Sequence, residues 1–316
     1  MARSSNQAGS SGKSLDTELM MQWCNATYRT VSRDSSVERI WQTAIPREAM
    51  HHAFLRHGLL ALAALDRARS AGQGRSRDEH LKIAQMHQTQ AMTGLTSARK
   101  AGRGQSQSTS NAIFAVSCTT ILYTLAYPLF KRPIGSNPTT LDDLCDVFEQ
   151  SRQTIAIMME FIDDVKHGDL NPLIQKDDSR PKMPDTSRLA ILSLRRLNGV
   201  LAAGRSHHET DVYETTMQHL STALERLAGG GEPSIIAIRW IHSIPSRFIE
   251  LVHRQQPFAL VILAHFAVVL HSLRGQWWMG NWGMDVLEVI GQSLDMEWRP
   301  HISWVVDATG WHIPVS

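Results

Sequence analysis

Cysteine is scarce: Cys24, Cys118 and Cys145 are the only three among 316 residues, and they stand far apart. A sparse, odd count fits a reducing compartment and excludes a disulfide framework. It also excludes a six-cysteine metal cluster built from these residues. Signatures of nucleophilic and phosphate chemistry are missing as well. There is no GxSxG, no Walker loop, no HExxH and no GxGxxG following a strand. No apolar–polar alternation runs long enough for a convincing strand, and no repeat of 20–50 residues is visible. The opening MARSSNQAGSSGKS lacks an apolar segment, so it is no secretory signal. It reads as a disordered polar arm over residues 1–14. Charge of one sign does not prevail: 32 Lys+Arg face 30 Asp+Glu, net +2, which argues neither for nor against nucleic acid. The distribution is uneven, with 15 basic against 8 acidic residues over 1–105 and 5 against 11 over 139–187.

What is present is helical periodicity. Leu15–Val31 follows Ser14, with Asp16 and Glu18 in its first turn. A shorter helix is expected over Val37–Ala44, and a strong one opens at Pro46 and carries Phe54, Leu55, Leu59, Leu62 and Leu65 at three- and four-residue spacing. Asp78–Ala101 follows a Gly/Ser loop. SNAIFAVSCTTILYTLAYPLF reads as a uniformly apolar helix ended by Pro128. Thr139 or Thr140 is expected to cap Leu141–Lys166, and further helices are expected over Thr186–Ala203 and Glu209–Leu227. The greasiest stretch, Ile235–Trp304, is the centre of the chain. Within it Phe258–Leu270 holds no formally charged group and is broken only by His265. A helix apolar on all faces is buried, and thirteen residues span about 20 Å, short of a bilayer core of ~30 Å. The expectation is an all-α fold of about ten helices, a single large domain over 15–307 with a tail at 308–316, and no membrane span.

Two constellations could carry chemistry. Asp142, Asp143 and Asp146 spell DDLCD, a magnesium-diphosphate pattern, with Asp142 and Asp146 on one helical face. No second ligand set of the required form follows. The same carboxylates sit just past a threonine cap, where they stabilise a helix N-terminus. Asp163–Asp164 has no matching partner and reads as solvated. Fifteen histidines give no i, i+4 zinc pair, and His265 suits a hydrogen-bonded core position. The second constellation is aromatic: Trp277, Trp278 and Trp282 crowd beside Gly275, Gly280 and Gly283. Such a corner either fills a helix junction or walls a pocket for a flat apolar ligand. Phe114, Cys118, Leu122, Met158, Phe161 and His265 are the other candidate ligand contacts.

PFALVILAHFAVVLH, the WW-x-G-x-WG corner and EWRPHISW resemble the end of the regulatory domain of fungal zinc-cluster transcription factors, in the sterol-uptake control branch. HAFLRHGLLALAALDRA, SNAIFAVS and MMEFIDDVKHGDLNPLI resemble further blocks in the same order. Phe161 stands where the family usually has Trp. The resemblance implies a transcriptional regulator of lipid, sterol or secondary-metabolite genes in the nucleus. It implies a sterol- or terpenoid-type ligand and a homodimer, or a heterodimer with a DNA-binding paralogue. No cofactor is implied. The chain starts where the zinc cluster and its basic linker would have ended, so no direct nucleic-acid contact is expected from it. The alternative is an isomerase or cyclase of a biosynthetic cluster that reuses the same apolar pocket.

Overall fold

The computed structural model describes residues 5–32, 34–72, 74–101, 106–131, 140–174, 182–204 and 207–312, with side chains from residue 14 onward. Among these residues the fold is all-α, with sixteen α-helical segments and no strand. The excess over ten comes from breaks that periodicity does not show. His52, in an extended conformation, separates Ile45–His51 from Ala53–Ser70. Phe161 separates Leu141–Glu160 from Ile162–Val165. Two single turns widen to π geometry, Trp23–Thr27 and Ile40–Ala44, and each brings a tryptophan inward. Trp23 and Trp41 are buried, their rings 6.2 Å apart, and the Trp23 indole donates to the Trp41 carbonyl at 3.1 Å. The first helix begins at Ser5, ahead of the expected start after Ser14. Pro128 does not end its helix: Gln107–Lys131 carries the ring inside its last turn, where the lost N–H removes one bond rather than a ladder. The expected Thr139 cap lies outside the described residues.

The chain divides into two compact units, 1–133 with 153–175 and 134–152 with 176–316. In the first, Ala53–Ser70 packs against Arg75–Lys100 and Gln107–Lys131. A turn with Gly72 and Gly74 at positive φ sends the chain back after Ser70. Glycine permits the close crossing of Ala53–Ser70 over Gln107–Lys131: a Cβ on Gly58 would lie 2.7 Å from Thr119 Oγ1. By length and composition Gln107–Lys131 is able to cross a bilayer, yet 72% of its apolar window is buried inside the protein.

In the second unit Pro257–Ser272 is the central helix, buried at every position from Phe258 to Ala267. Around it pack Thr210–Ala228, Pro233–Ser243, Ser246–His253, Trp282–Ser293 and Ser303–Thr309. Pro233 and Pro257 occupy first turns, and Glu232 accepts from the Ile235 N–H at 3.0 Å. Arginines close several helix ends from outside the helix they cap. Arg152 donates to the carbonyls of Ile241 and Ile244. Arg299 donates to those of Leu294 and Gly291. In the first unit Arg77 donates to the Phe130 carbonyl at 2.7 Å. A cation at a helix C-terminus meets orphan carbonyls and the negative end of the dipole.

Candidate functional site

The candidate residues divide between the units. In the first, Phe114 and Leu122 are buried on Gln107–Lys131, and Phe161 is buried just past Glu160. Cys118, on the same helix as Phe114, approaches Met158 with its sulfur 4.0 Å from the thioether. In the second unit Trp278 and Trp282 are buried and Trp277 is half-buried. Gly283 makes their corner possible, because a Cβ there would lie 2.6 Å from the His271 backbone nitrogen. Among the described residues the corner leaves two polar atoms without a partner: Trp278 Nε1 and His271 Nδ1, both shielded from solvent. Buried polar atoms normally find a partner, protein or otherwise. The Trp240 indole nitrogen is orphaned in the same way, beneath a stack of Trp240 on Phe266 at 3.6 Å between centroids.

His265 is buried on the central helix, and its Nδ1 lies 2.8 Å from the Val261 carbonyl. Burial pushes its pKa down to about 4, only partly countered by that bond. The ring is therefore neutral near pH 7. It stacks on Trp304 with centroids 5.4 Å apart and planes 12° from parallel.

Trp304 leads to a cleft that sequence reasoning missed. An opening of about 390 Å³ is lined by Leu224, Leu227, Ala228, Val268, Trp304 and Ala308, with Thr186, Ser187 and Asp307 supplying the polar groups. Its volume lies in the range of small-molecule sites. Val268 follows His265 by three residues, so the same helical face carries the histidine and one wall of the cleft. The usable signal was Trp304 itself, the terminal tryptophan of EWRPHISW, half-buried where its neighbours Ile302 and Val305 are fully buried.

The carboxylate pattern resolves as capping. Thr140 and Asp143 bond reciprocally: the Thr140 N–H donates to Asp143 Oδ2 at 3.0 Å and the Asp143 N–H to Thr140 Oγ1 at 3.1 Å. Asp142 pairs with His253 at 2.8 Å. Cys145, within the same motif, has its thiol pushed up to about 12 by burial and by Asp142 and Asp146, which makes it a poor nucleophile. Asp164 is not simply solvated: it accepts from the buried Ser110 hydroxyl at 2.8 Å. Among the described residues no three metal-ligating side chains converge. One histidine pair does form, in the first unit. His57 Nδ1 and His87 Nδ1 are 3.0 Å apart, and Asp16 Oδ1 is 3.4 Å from His87 Nε2. Burial lowers both imidazole pKa values, most directly through lost solvation.

The geometry thus defines an all-helical protein with an apolar cleft and an aromatic corner in one unit. Against known proteins, no family model matches the chain. It is 24% identical over 332 aligned residues to a Zn(2)-C6 fungal-type transcription factor of Gibberella zeae, an alignment that covers 97% of this chain. The chain spans 64% of the length of that relative.

Proposed function

We propose that this chain is the regulatory part of a fungal transcriptional regulator, that residues 15–307 act as one module, and that it senses a lipophilic small molecule. Similarity to the zinc-cluster factor along 97% of the chain carries the first part. The all-α architecture agrees with it. With three cysteines here, contact with DNA falls to a module outside these residues, because base and phosphate readout needs its own element. The site of action is the nucleus. Two features support ligand sensing. One is the cleft of about 390 Å³ on the central helix. The other is the aromatic corner, set apart from that cleft's lining, where Trp278 Nε1 and His271 Nδ1 lack a partner among the described residues and where a ligand hydroxyl or carbonyl would satisfy them on opening the corner. A sterol or terpenoid, apolar with one such group, matches this chemistry. Ligand would act by favouring one helix packing over another.

The test has two arms. The chain is fused to a heterologous DNA-binding domain in yeast, and a reporter is followed. Activation or repression relative to the DNA-binding domain alone is expected, and an inert fusion would overturn the regulator reading. Separately, sterols and terpenoids are titrated while tryptophan emission is recorded. A saturable change, lost in Val268→Arg, is expected, and a flat response across both classes overturns the sensing reading.

A further inference from the structure

The cleft on the central helix is lined by a single formal charge, and that charge is negative. Its walls are aliphatic and aromatic, Thr186 and Ser187 bring hydroxyls, and Asp307 brings a carboxylate; no lysine, arginine or histidine lines it. Among the described residues Asp307 is exposed and has neither an ion pair nor a hydrogen bond. Arg188, the residue after Ser187, is held by Asp185 at 2.7 Å and so is already engaged.

The backbone adds to the negative sign. Leu224, Leu227 and Ala228 stand at the C-terminal end of Thr210–Ala228, where carbonyls run out of helical partners and the dipole is negative. The carbonyls of Glu225, Arg226 and Leu227 accept from the Gly229, Gly231 and Gly230 N–H groups. That of Ala228, in the lining, accepts from none among the described residues. The first turn of Asp185–Gly204 has the opposite polarity, but its own Asp185 offsets it. Trp304 precedes Asp307 by three residues on Ser303–Thr309, so ring and carboxylate share one helical face. The ring of His265 stacks on Trp304 and is neutral near pH 7, so no cation sits behind the indole.

We propose that this cleft takes a lipophilic amine, its ammonium group held by Asp307, Trp304 and the hydroxyls of Thr186 and Ser187, and its apolar skeleton laid along Leu224, Leu227 and Val268. An ammonium group donates three hydrogen bonds and accepts none, which matches a rim made of acceptors, and an indole attracts a cation. A carboxylate or phosphate ligand would meet Asp307 with like charge. A neutral ligand covering the rim would strip water from the carboxylate and return nothing. The inference rests on the ligand-sensing reading above and narrows it, for the cleft, to one chemical class.

A matched pair of probes tests it: farnesol and farnesylamine, one isoprenoid skeleton with a neutral or a cationic head, each titrated against tryptophan emission at pH 7. The amine should bind roughly tenfold more tightly than the alcohol, and added salt should weaken the amine alone. Asp307→Asn should erase the preference and leave the affinity for farnesol unchanged, with circular dichroism confirming that this surface variant is folded. Val268→Arg should abolish binding of both. Equal affinity for the two probes overturns the amine inference and leaves ligand sensing standing. A preference that survives Asp307→Asn, or amine binding that survives Val268→Arg, overturns it as well. If neither probe perturbs the emission, the sensing reading falls for this skeleton and the amine inference falls with it.

Discussion

The two units solve the burial of their interiors differently. The first threads hydrogen bonds through its core. Asp66, 2% exposed, accepts from Thr27 Oγ1 at 2.8 Å, from Gln22 at 3.2 Å and from Arg69 at 2.7 Å. Buried Ser117 and Thr119 return their hydroxyls to carbonyls of their own helix, those of Ile113 and Val116. The second unit relies on rings. Trp240 lies among Phe148, Phe248 and Phe266, and Tyr213 meets Phe258 edge-on at 4.8 Å. Its indole nitrogens on Trp240 and Trp278 go unpartnered. The first unit has its own unmet atoms, His87 Nε2, Gln88 Oε1 and Tyr123 Oη among the described residues, but directional bonds such as those to Asp66 hold their surroundings to one arrangement. An aromatic core tolerates adjustment, since dispersion and offset stacking vary smoothly with position. On the proposed reading, a small molecule would shift packing in the second unit.

Substitutions can break this contrast. The largest effect is expected from Trp240→Ala, which empties the stack under Phe266 and should cost about 3–5 kcal/mol, read as a lower urea midpoint. A loss under about 1 kcal/mol would show that the ring cluster is not the organising core. Next comes Asp66→Ala in the first unit. It strands the buried Thr27 hydroxyl and removes the carboxylate that Arg69 donates to, and about 2–3 kcal/mol should be lost. Asp66→Asn should recover part of it, and equal losses for both would mean that packing, not bonding, holds the site. Gly283→Ala follows: its methyl would press on the His271 backbone, for a cost of about 1–3 kcal/mol. That variant should also alter any ligand response of the tryptophan corner, whereas Gly199→Ala, which meets open space, should not.

The remaining effect builds up gradually with acid. His265 has a folded pKa of about 4, below the unfolded value of 6.5. Between these values the unfolded chain binds the proton and the folded chain does not, so stability is complete above 6.5 and falls with acid. The slope from this group is about 1.4 kcal/mol per pH unit, and the loss ends near pH 4. His57 and His87, also lowered, add losses of the same sign below 6.5. His265→Leu should flatten the profile through the second unit and His87→Leu through the first, which sharpens the contrast by separating their acid sensitivities.

Much of the architecture was legible in sequence, and the reasons are local. Phe258–Leu270 declares a buried helix because it is apolar in every direction, and Thr140 with Asp143 declares a helix start because capping acts over three residues. The breaks at His52 and Phe161 and the π turns at Trp23 and Ile40 were hidden, since tertiary packing of the indoles and of Phe161 sets them. The His57–His87 pair was hidden for the same reason: thirty residues separate partners that meet only after two helices fold together. The cleft was hidden because its lining comes from four separate helices, each contributing ordinary residues. The Trp277–Trp282 corner was visible as a cluster, and its orphaned nitrogens were not, since an unmet bond is a property of surroundings.

The arginines that close helix ends bear on the fate of the protein in acid. The bonds from Arg77, Arg152 and Arg299 to their helix-end carbonyls involve no imidazole, so they remain after the histidines have taken up protons. Acid should therefore dissolve the fixed side-chain order first and leave the spirals wound. The product would be a compact, fluid species, with far-ultraviolet dichroism retained and near-ultraviolet tryptophan signals gone.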